Sequence, residues 1–567
     1  MEKRWILAST QHADKNSISW DEICDLPCIV SLLARKGFAS KDDVQGFLQP
    51  RLQSLSDPFL LPNLKAAVDR ILQAIDRAER IVLFGDYDVD GVTSLALLAE
   101  ILRAYGAAPE LFLPLRMEEG YGLSRESIAR CCQLHRPQLL IAVDCGTSSV
   151  PEIAELKKSG VDVLVLDHHE PKSELPDCTA VVNPKAVPAH PATYLCSVGI
   201  VFKLCHALLK ARPQPDFDLK SRLDLVALGT VADIVPLHLE NRILVRAGAR
   251  QIAQTRRLGL RKLMEIAAVR APIATEDIGF RLGPRLNAAG RLHTAEKALR
   301  LLLTQDEAEA TDLASLLDAQ NRERQTLEKE IFVAADTEIA KEFDATLHAA
   351  IVVGARDWHP GVLGIVASRI ARKYHRPAII VSFDEDDLGK GSGRSIEGFP
   401  LVAGLNRCSE LLEKFGGHEM AAGLTIRKNN FPAFAEKFRQ IAREMLSDDL
   451  LQPRLQIDHE LTFSELNLAL LDWHEALQPF GSGNVQPVFV AREVEPAMQP
   501  TILHDKHLIL RLRQRGRFQR AIFFDGAAEP LPPAPWDVAF QIKPDEYEGI
   551  TRLQLHVQAV RAAAPLE

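Results

Sequence analysis

An α/β fold is predicted for this chain: a parallel-sheet domain, a long joining helix, a second α/β domain and a β-rich tail. Three observations predict it. Short apolar runs, Ile81 to Phe84, Leu139 to Val143 and Val161 to Leu166, alternate with helix-like stretches at about 92–104, 124–134 and 149–159. That is the rhythm of buried parallel strands and their crossover helices. The pattern returns with candidate strands at Ala349 to Val353 and Ala378 to Phe383 around a helix from Val362 to Tyr374. From about residue 451 the runs become short and alternating, at Ile457 to Leu461, Val488 to Val490, Leu508 to Leu512, Gln519 to Phe524 and Leu553 to Val557. Such runs suit a small β-barrel.

The strands of the first group end in acids and histidines. The first is followed by Asp86, Asp88 and Asp90 in GDYDVDG. Alternation along extended backbone would point all three carboxylates the same way. Like charges so placed repel unless a cation neutralises them, and hard oxygen ligands suit Mg²⁺ or Mn²⁺. An acidic turn is the plain alternative. A calcium loop would need a glutamate at position 97, where Leu97 stands. The second strand ends in Asp144-Cys145-Gly146 and the third in Asp167-His168-His169. Open α/β sheets place ligands outside the carboxyl ends of their strands. A further acid, Asp233 in GTVADIVPL, lies inside an apolar stretch, where an unpaired carboxylate is costly.

DYDVDG, VDCG, DHH and GTVADIVPL together resemble the motifs of the DHH phosphoesterase family. RLNAAGR at 285–291, WHPGVLGIVASRI at 358–370, GKGSGRS at 389–395 and FGGHEMAAG at 415–423 are similar to its companion DHHA1 domain and the approach to it. Within the family the layout resembles the bacterial 5′→3′ exonucleases specific for single-stranded DNA. The resemblance implies two divalent ions, Mn²⁺ or Mg²⁺, held by Asp86, Asp88, Asp90, Asp144, His168, His169 and Asp233. It implies Asp88 or Asp144 as a bridge, and Asp167 as the group that orients a histidine. Asp88, Asp90, Asp144, His168, His169, Asp233 and His418 are the catalytic set it implies. For the strand it implies Arg116, Tyr121, Arg285, Asn287, Arg291, Ser368, Arg369 and His418.

Lys390 and Arg394 interleave with small residues in GKGSGRS, a backbone that approaches phosphates closely. In the tail, Arg511, Arg513, Arg515 and Arg517 alternate, a cationic row if they share one strand, with Gly516 as a possible break. Backbone-tracking cations suit single-stranded nucleic acid. A charged edge strand guarding against aggregation is the alternative. The family carries an OB-like barrel at this end. Expected domains are a helical leader at 1–60, the DHH domain at 61–303, a joining helix at 304–345 opened by a Thr304/Glu307 capping box, the DHHA1 domain at 346–446 and the OB-like domain at 451–567.

Bulk properties exclude little. With 67 basic and 76 acidic residues the net charge is −9, so no global basic signal marks a nucleic-acid partner. Nine scattered cysteines without metal spacing read as reduced thiols of a cytoplasmic protein. No signal-peptide core or membrane-length apolar run is expected. Single-stranded-DNA-binding protein and a RecQ-type helicase are partners the family implies, for a chain expected to be monomeric. Two other functions use the same motifs: a phosphodiesterase for short oligoribonucleotides or cyclic dinucleotides, and a strand-binding replication factor without catalysis. The extra domains argue against the first, and the complete set of acids and histidines against the second.

Overall fold

The computed structural model describes residues 3–8, 18–116, 118–120, 122–172, 174–547 and 549–563. The chain forms two compact units, one of Asp57–Asp233 with Gly248–Pro453 and one of Arg4–Ser56, Ile234–Ala247 and Arg454–Glu567. Among the described residues the strands run from β1 (Arg4–Leu7) to β19 (Ile550–Ala562).

The first unit opens with a parallel sheet of β2 (Ile81–Gly85), β3 (Glu110–Phe112), β4 (Leu139–Val143), β5 (Asp162–Leu166) and β6 (Ala180–Val182). Their order is β3-β2-β4-β5-β6. Every residue of β2 and β4 is buried, which is why neither run alternates with polar residues. The strand order reverses between β2 and β4. In a doubly wound sheet that switch point opens a crevice at the carboxyl ends of the strands. Asp86 and Asp144 are the residues immediately past those two ends.

The second sheet of this unit has β7 (Ile351–Arg356) beside β8 (Ala378–Phe383), then β9 (Leu388–Arg394), β11 (Ala421–Arg427) and β10 (Lys414–Gly417). GKGSGRS, expected as a phosphate-approaching loop, is the middle strand β9. Its glycines face the packed side, where a Cβ on Gly391 would lie 2.8 Å from Leu424. Alternation therefore turns Lys390, Ser392 and Arg394 to the other side. There Arg394 meets the Leu363–Tyr374 helix at Gly364.

One unbroken helix, Glu307–Glu342, joins the two sheets. Its length is roughly 54 Å at 1.5 Å per residue. Its cap is Asp306, whose side chain accepts from Glu309 N, rather than the expected Thr304/Glu307 box. Thr304 instead bonds the Glu309 carboxylate. The far half buries Ile331, Ala335 and Ile339 against Trp358, Val362 and Ile370 of the second domain. Near its start, the short Gly283–Leu292 helix crosses the loop after β2 so closely that a Cβ on Gly290 would lie 2.5 Å from Tyr87 O.

In the second unit the leader is not purely helical. β1 pairs in parallel with β12 (Arg454–Ile457), and Trp5 stacks under Arg561 at 4.4 Å. Four residues are too short to show a period. Ile457 to Leu461 breaks at Asp458, whose carboxylate accepts from Val488 N and pairs with Arg35, so β12 and β13 (His459–Glu460) are separate. β13, β14 (Phe489–Pro496), β18 (Trp536–Tyr547), β19, β17 (Arg517–Phe523), β16 (His507–Gln514) and β15 (Thr501–Leu503) follow in that order. β14 also pairs with β16, so the sheet closes on itself as a barrel. The arginine row does not share one strand. Arg511 and Arg513 lie exposed on β16, Arg515 and Gly516 make the left-handed turn, and Arg517 opens β17. Arg513 is paired with Glu495.

Gly290→Ala is expected to force the Gly283–Leu292 helix off Tyr87, lower the melting temperature by several degrees and reduce metal-induced stabilisation. Gly416→Ala, where a Cβ meets nothing within 4 Å, is the matched control. Differential scanning fluorimetry with and without Mn²⁺ reads both.

Candidate metal centre

β2 stops at Gly85, and the three aspartates that follow do not share an extended backbone. Asp86 is buried, with Oδ1 lacking any hydrogen-bond partner. Asp88 is the N-cap of the Val89–Ala104 helix, and its Oδ1 accepts from Asp90 N at 2.9 Å and Gly91 N at 3.1 Å. Asp90 lies inside the first turn. Its two oxygens accept from Ser197 N at 2.7 Å and Val198 N at 2.8 Å, the opening of the Ser197–Ala211 helix. The expected alternation thus yields to helix capping: an Asp N-cap and an acid in the first turn both favour starting the helix at 89 rather than 92.

Asp144 follows β4 with φ 63°, a left-handed backbone that costs a non-glycine residue roughly 1–2 kcal/mol. Its Oδ1 accepts from Ser197 Oγ at 2.9 Å. Past β5, the buried Asp167 accepts from Thr147 N, His168 N and His169 N. It also holds His169 Nδ1 at 2.7 Å, which leaves Nε2 of that ring as the ligand atom. Asp233, in its apolar stretch, is the C-cap of the Leu223–Ala232 helix.

These groups converge. His168 Nε2 lies 3.4 Å from Asp144 Oδ1, 3.6 Å from Asp233 Oδ2 and 3.9 Å from Asp90 Oδ2. Three triads have ligand atoms within 4.8 Å of one another: Asp144, His168 and His169; Asp90, His168 and Asp233; and Asp86, Asp88 and Asp144. Asp144 and His168 each belong to two triads, so the three form one continuous site.

Burial and mutual repulsion dominate the titration here. Burial first, then neighbouring Asp88, lifts Asp90 to about 7. Burial with Asp90 and Asp88 lifts Asp233 to about 9. Asp144 and Asp86 are raised well above the carboxylate range for the same reasons. Burial with the neighbouring His169 lowers His168 to about 3, so the ring is neutral and its lone pair available. His169 goes the other way, to about 9, because the Asp167 contact outweighs burial.

A divalent cation fits this donor set. His168 has no hydrogen-bond partner on either ring nitrogen, although the residue is buried, and Asp86 Oδ1 and Asp233 Oδ2 also lack one. Buried polar atoms without partners cost ~1–3 kcal/mol each. Here His168, Asp86 and Asp233 belong to one cluster of oxygen and imidazole donors, the chemistry of Mn²⁺ or Mg²⁺.

Arginines border the acids. Arg116 stacks on the Tyr87 ring at 4.8 Å and acts on the charge of Asp86. Burial, then Arg116, Arg324 and Arg394, lowers Arg291 to about 10. Burial and Arg116 lower Arg394, which also donates to Ser392 Oγ. His418, exposed at the turn between β10 and β11, adds to the field on His168. Lys390 is exposed on β9.

Other expected strand contacts have structural partners. Arg369 pairs with Glu328 at 3.1 Å and lies 4.0 Å over the Phe332 ring, because the long helix runs beside it. Ser368 Oγ donates to Gly364 O of its own helix. Arg285 is tied to Asp318 and Arg281 O. Asn287 Oδ1 accepts from Val89 N at 3.1 Å and so braces the acidic loop. Tyr121 lies outside the described residues. Ser197, Ser392 and Arg324 were not anticipated. A serine opening a helix is a capping signal, and only the fold turns it towards the acids.

A switch-point cluster of carboxylates and paired histidines, with a companion domain on a long helix, defines a metal-dependent phosphoesterase. Three family models agree: the DHH family N-terminal domain matches residues 80–230, the DHHA1 domain 345–444 and the RecJ OB domain 457–559. The chain is 37% identical to the single-stranded-DNA-specific exonuclease RecJ of Haemophilus influenzae, over 90% of this chain and 93% of that protein. It is 34% identical to RecJ of Escherichia coli, over 95% and 97%. It spans only 61% of the length of the Bacillus subtilis RecJ, at 37% identity over 85% of this chain. The crystal structure of Thermus thermophilus RecJ with Mn²⁺ superposes with a TM-score of 0.83 at 30% identity, covering all of this chain and 80% of that one. RecJ of the same organism has also been solved with Mg²⁺. The chain belongs to the RecJ family of single-stranded-DNA-specific exonucleases.

The titrations have a sign. Carboxylates raised in the folded state, and His169 raised to about 9, bind protons more tightly folded than unfolded. Their contribution is complete at low pH and is lost as pH rises through the folded values. His168, lowered to about 3, adds no slope above the ordinary histidine range. Metal-free protein is therefore expected to lose thermal stability between about pH 6.5 and pH 9. Saturating Mn²⁺ is expected to flatten that slope, because metal displaces the protons. Melts in EDTA and in Mn²⁺ across this range check it.

Proposed function

We propose that this chain degrades single-stranded DNA from the 5′ end, releasing 5′-mononucleotides by phosphodiester hydrolysis. The carrying observation is the arginine group, Arg116, Arg291 and Arg394, set against a cluster of metal-binding carboxylates. Half-buried cations, two of which, Arg291 and Arg394, are held below the ordinary arginine range by burial and neighbouring arginines, favour an anion among them, and a phosphate is the anion that such a pocket and a metal centre share. That chemistry fits a strand whose terminal phosphate is clamped while the next phosphodiester reaches the acids.

The residues divide the work. Asp86, Asp88, Asp90, Asp144, His168, His169 and Asp233 would hold two divalent ions, and Asp144 belongs to two of the three triads. When bound, such ions acidify a water and withdraw charge from the phosphate oxygens. Asp167 fixes the His169 tautomer and keeps Nε2 turned inward. Asn287 and Ser197 hold Val89 and Asp144 in place. Arg116, Arg291 and Arg394 neutralise the terminal phosphate, with Ser392 orienting Arg394. His418 donates a hydrogen bond to the scissile phosphate or to the 5′ end, and Lys390 adds positive charge on the same strand as Arg394. The barrel's Arg511, Arg515 and Arg517 supply outer backbone contacts.

Family resemblance supports single-stranded-DNA-binding protein and a RecQ-type helicase as partners, a monomeric state, a cytoplasmic location and a role in repair and recombination. No helix among the described residues is long and apolar enough to cross a membrane.

End-labelled oligonucleotides with Mn²⁺ test the reading. A 5′-phosphorylated single strand is expected to shorten from that end. Equal attack on blunt duplex, or attack only from 3′ ends, would reject it. Asp88→Asn keeps the helix-capping oxygen but removes charge, and is expected to lower kcat about a thousandfold while sparing strand binding. Arg394→Ala is expected to erase the preference for a 5′-phosphate over a 5′-hydroxyl, measured as the ratio of kcat/KM on the two ends.

A further inference from the structure

Phe280 is 79% exposed, the most exposed large apolar side chain among the described residues. A lone surface phenylalanine is ordinary; the setting of this one is not. It sits in a π-helical turn, Ile278–Leu282, that runs straight into the Gly283–Leu292 helix. Such turns are rare and occur frequently at functional sites.

The helix that follows is the one that braces the metal loop, through Asn287 on Val89 and Gly290 against Tyr87. Phe280, Pro284, Asn287 and Arg291 follow one another at spacings of four, three and four residues, one continuous face. Pro284, Asn287 and Arg291 line a cavity of about 150 Å³ together with Arg324, whose buried Nε has no partner. Phe280 is one turn further out, roughly 10 Å along the helix from Asn287. Its chain neighbour Arg281 is tied back to Asp277 and Ala268 O, which leaves the Phe280 ring as the exposed apolar feature of the turn.

We propose that Phe280 is a stacking platform for a base of the bound strand, one or two nucleotides beyond the scissile phosphate. This rests on the exonuclease reading above and deepens it. A flat apolar ring, exposed beside the strand-handling face, offers a base a stacking surface. Stacking is indifferent to base identity, as an enzyme that consumes a strand of any sequence requires.

The test uses the full chain with Mn²⁺ and 5′-phosphorylated dT12, intact or carrying one abasic position at the second, third, fourth or fifth nucleotide. Wild type is expected to lose roughly tenfold or more in kcat/KM at one or two of these positions only. Phe280→Ala is expected to lose the same factor on intact dT12 through KM, to lose nothing further at that abasic position, and to melt at the wild-type temperature. Phe280→Trp is expected to restore the intact-strand value. Wild-type kinetics for Phe280→Ala on intact dT12, or full additivity of the substitution and the abasic position, would overturn the proposal. Failure of the wild type to cut dT12 at all would remove the exonuclease reading, and this inference with it.

Discussion

Repulsion among buried carboxylates is the constraint on which the catalytic unit is built. Asp86, Asp90 and Asp144 are almost wholly buried; burial and then Asp88 raise the proton affinity of Asp86 and Asp90, and burial with Asp90, Asp88 and Asp86 raises that of Asp144. A protein that merely needed a stable core would not bring them together, since each buried unpaired charge costs several kcal/mol. The fold brings them together at the one place where an open α/β sheet leaves a crevice, between β2 and β4. It accepts a left-handed backbone at Asp144 to do so. Such a cluster is tolerable when a divalent cation completes it, which makes metal binding part of the stability of this unit as well as of its chemistry.

The surrounding groups limit how far the acids relax apart. Asp88 is spent on one oxygen as a helix cap, Asp90 on both oxygens against the start of another helix, and Asp144 on Ser197. The N-terminal end of the Ser197–Ala211 helix thus does double duty. Its N–H groups stabilise carboxylate charge through the helix dipole, and they set the distance between the β2 and β4 acids. Asp167 performs the matching task for the histidines, where its contact gives His169 a proton affinity opposite to that of His168. Two adjacent imidazoles in one buried site are therefore distinct, one neutral by desolvation and one polarised by an acid.

Much of this was legible in the sequence because buried parallel strands announce themselves. β2, β4 and β5 read as apolar runs, and the acids at their ends read as ligands. What failed has common physical causes. Asp86, Asp88 and Asp90 alternate on paper, but a good N-cap ends the strand before alternation applies. GKGSGRS has loop composition, yet its glycines are there because the packed side of β9 leaves no room for side chains. Arg511 to Arg517 looked continuous, and Gly516 with Arg515 folded it into a hairpin. Arg369 and Arg285 looked like free cations until the long helix supplied Glu328 and Asp318. Partners far apart in sequence carry no local signal, and the same holds for Arg324, which meets Arg291 only because that helix passes the site.

The same separation explains why the overall charge of −9 says nothing about a nucleic-acid partner. Many surface cations of this chain are matched locally, as Arg513 is by Glu495 and Lys373 by Asp336. Beside the acids stand Arg116, Arg291 and Arg394, half-buried, with Arg291 and Arg394 weakened by burial and by neighbouring arginines. Positive charge so placed attracts a phosphate strongly at one point and weakly elsewhere. A strand held that way is held by its end, since only an end lets a phosphate enter a partly closed pocket while the next one meets the metal centre. A broad basic face would hold the middle of a strand as well as its end, and would favour duplex, whose charge density is greater. A net charge of −9 is therefore compatible with an enzyme that reads ends.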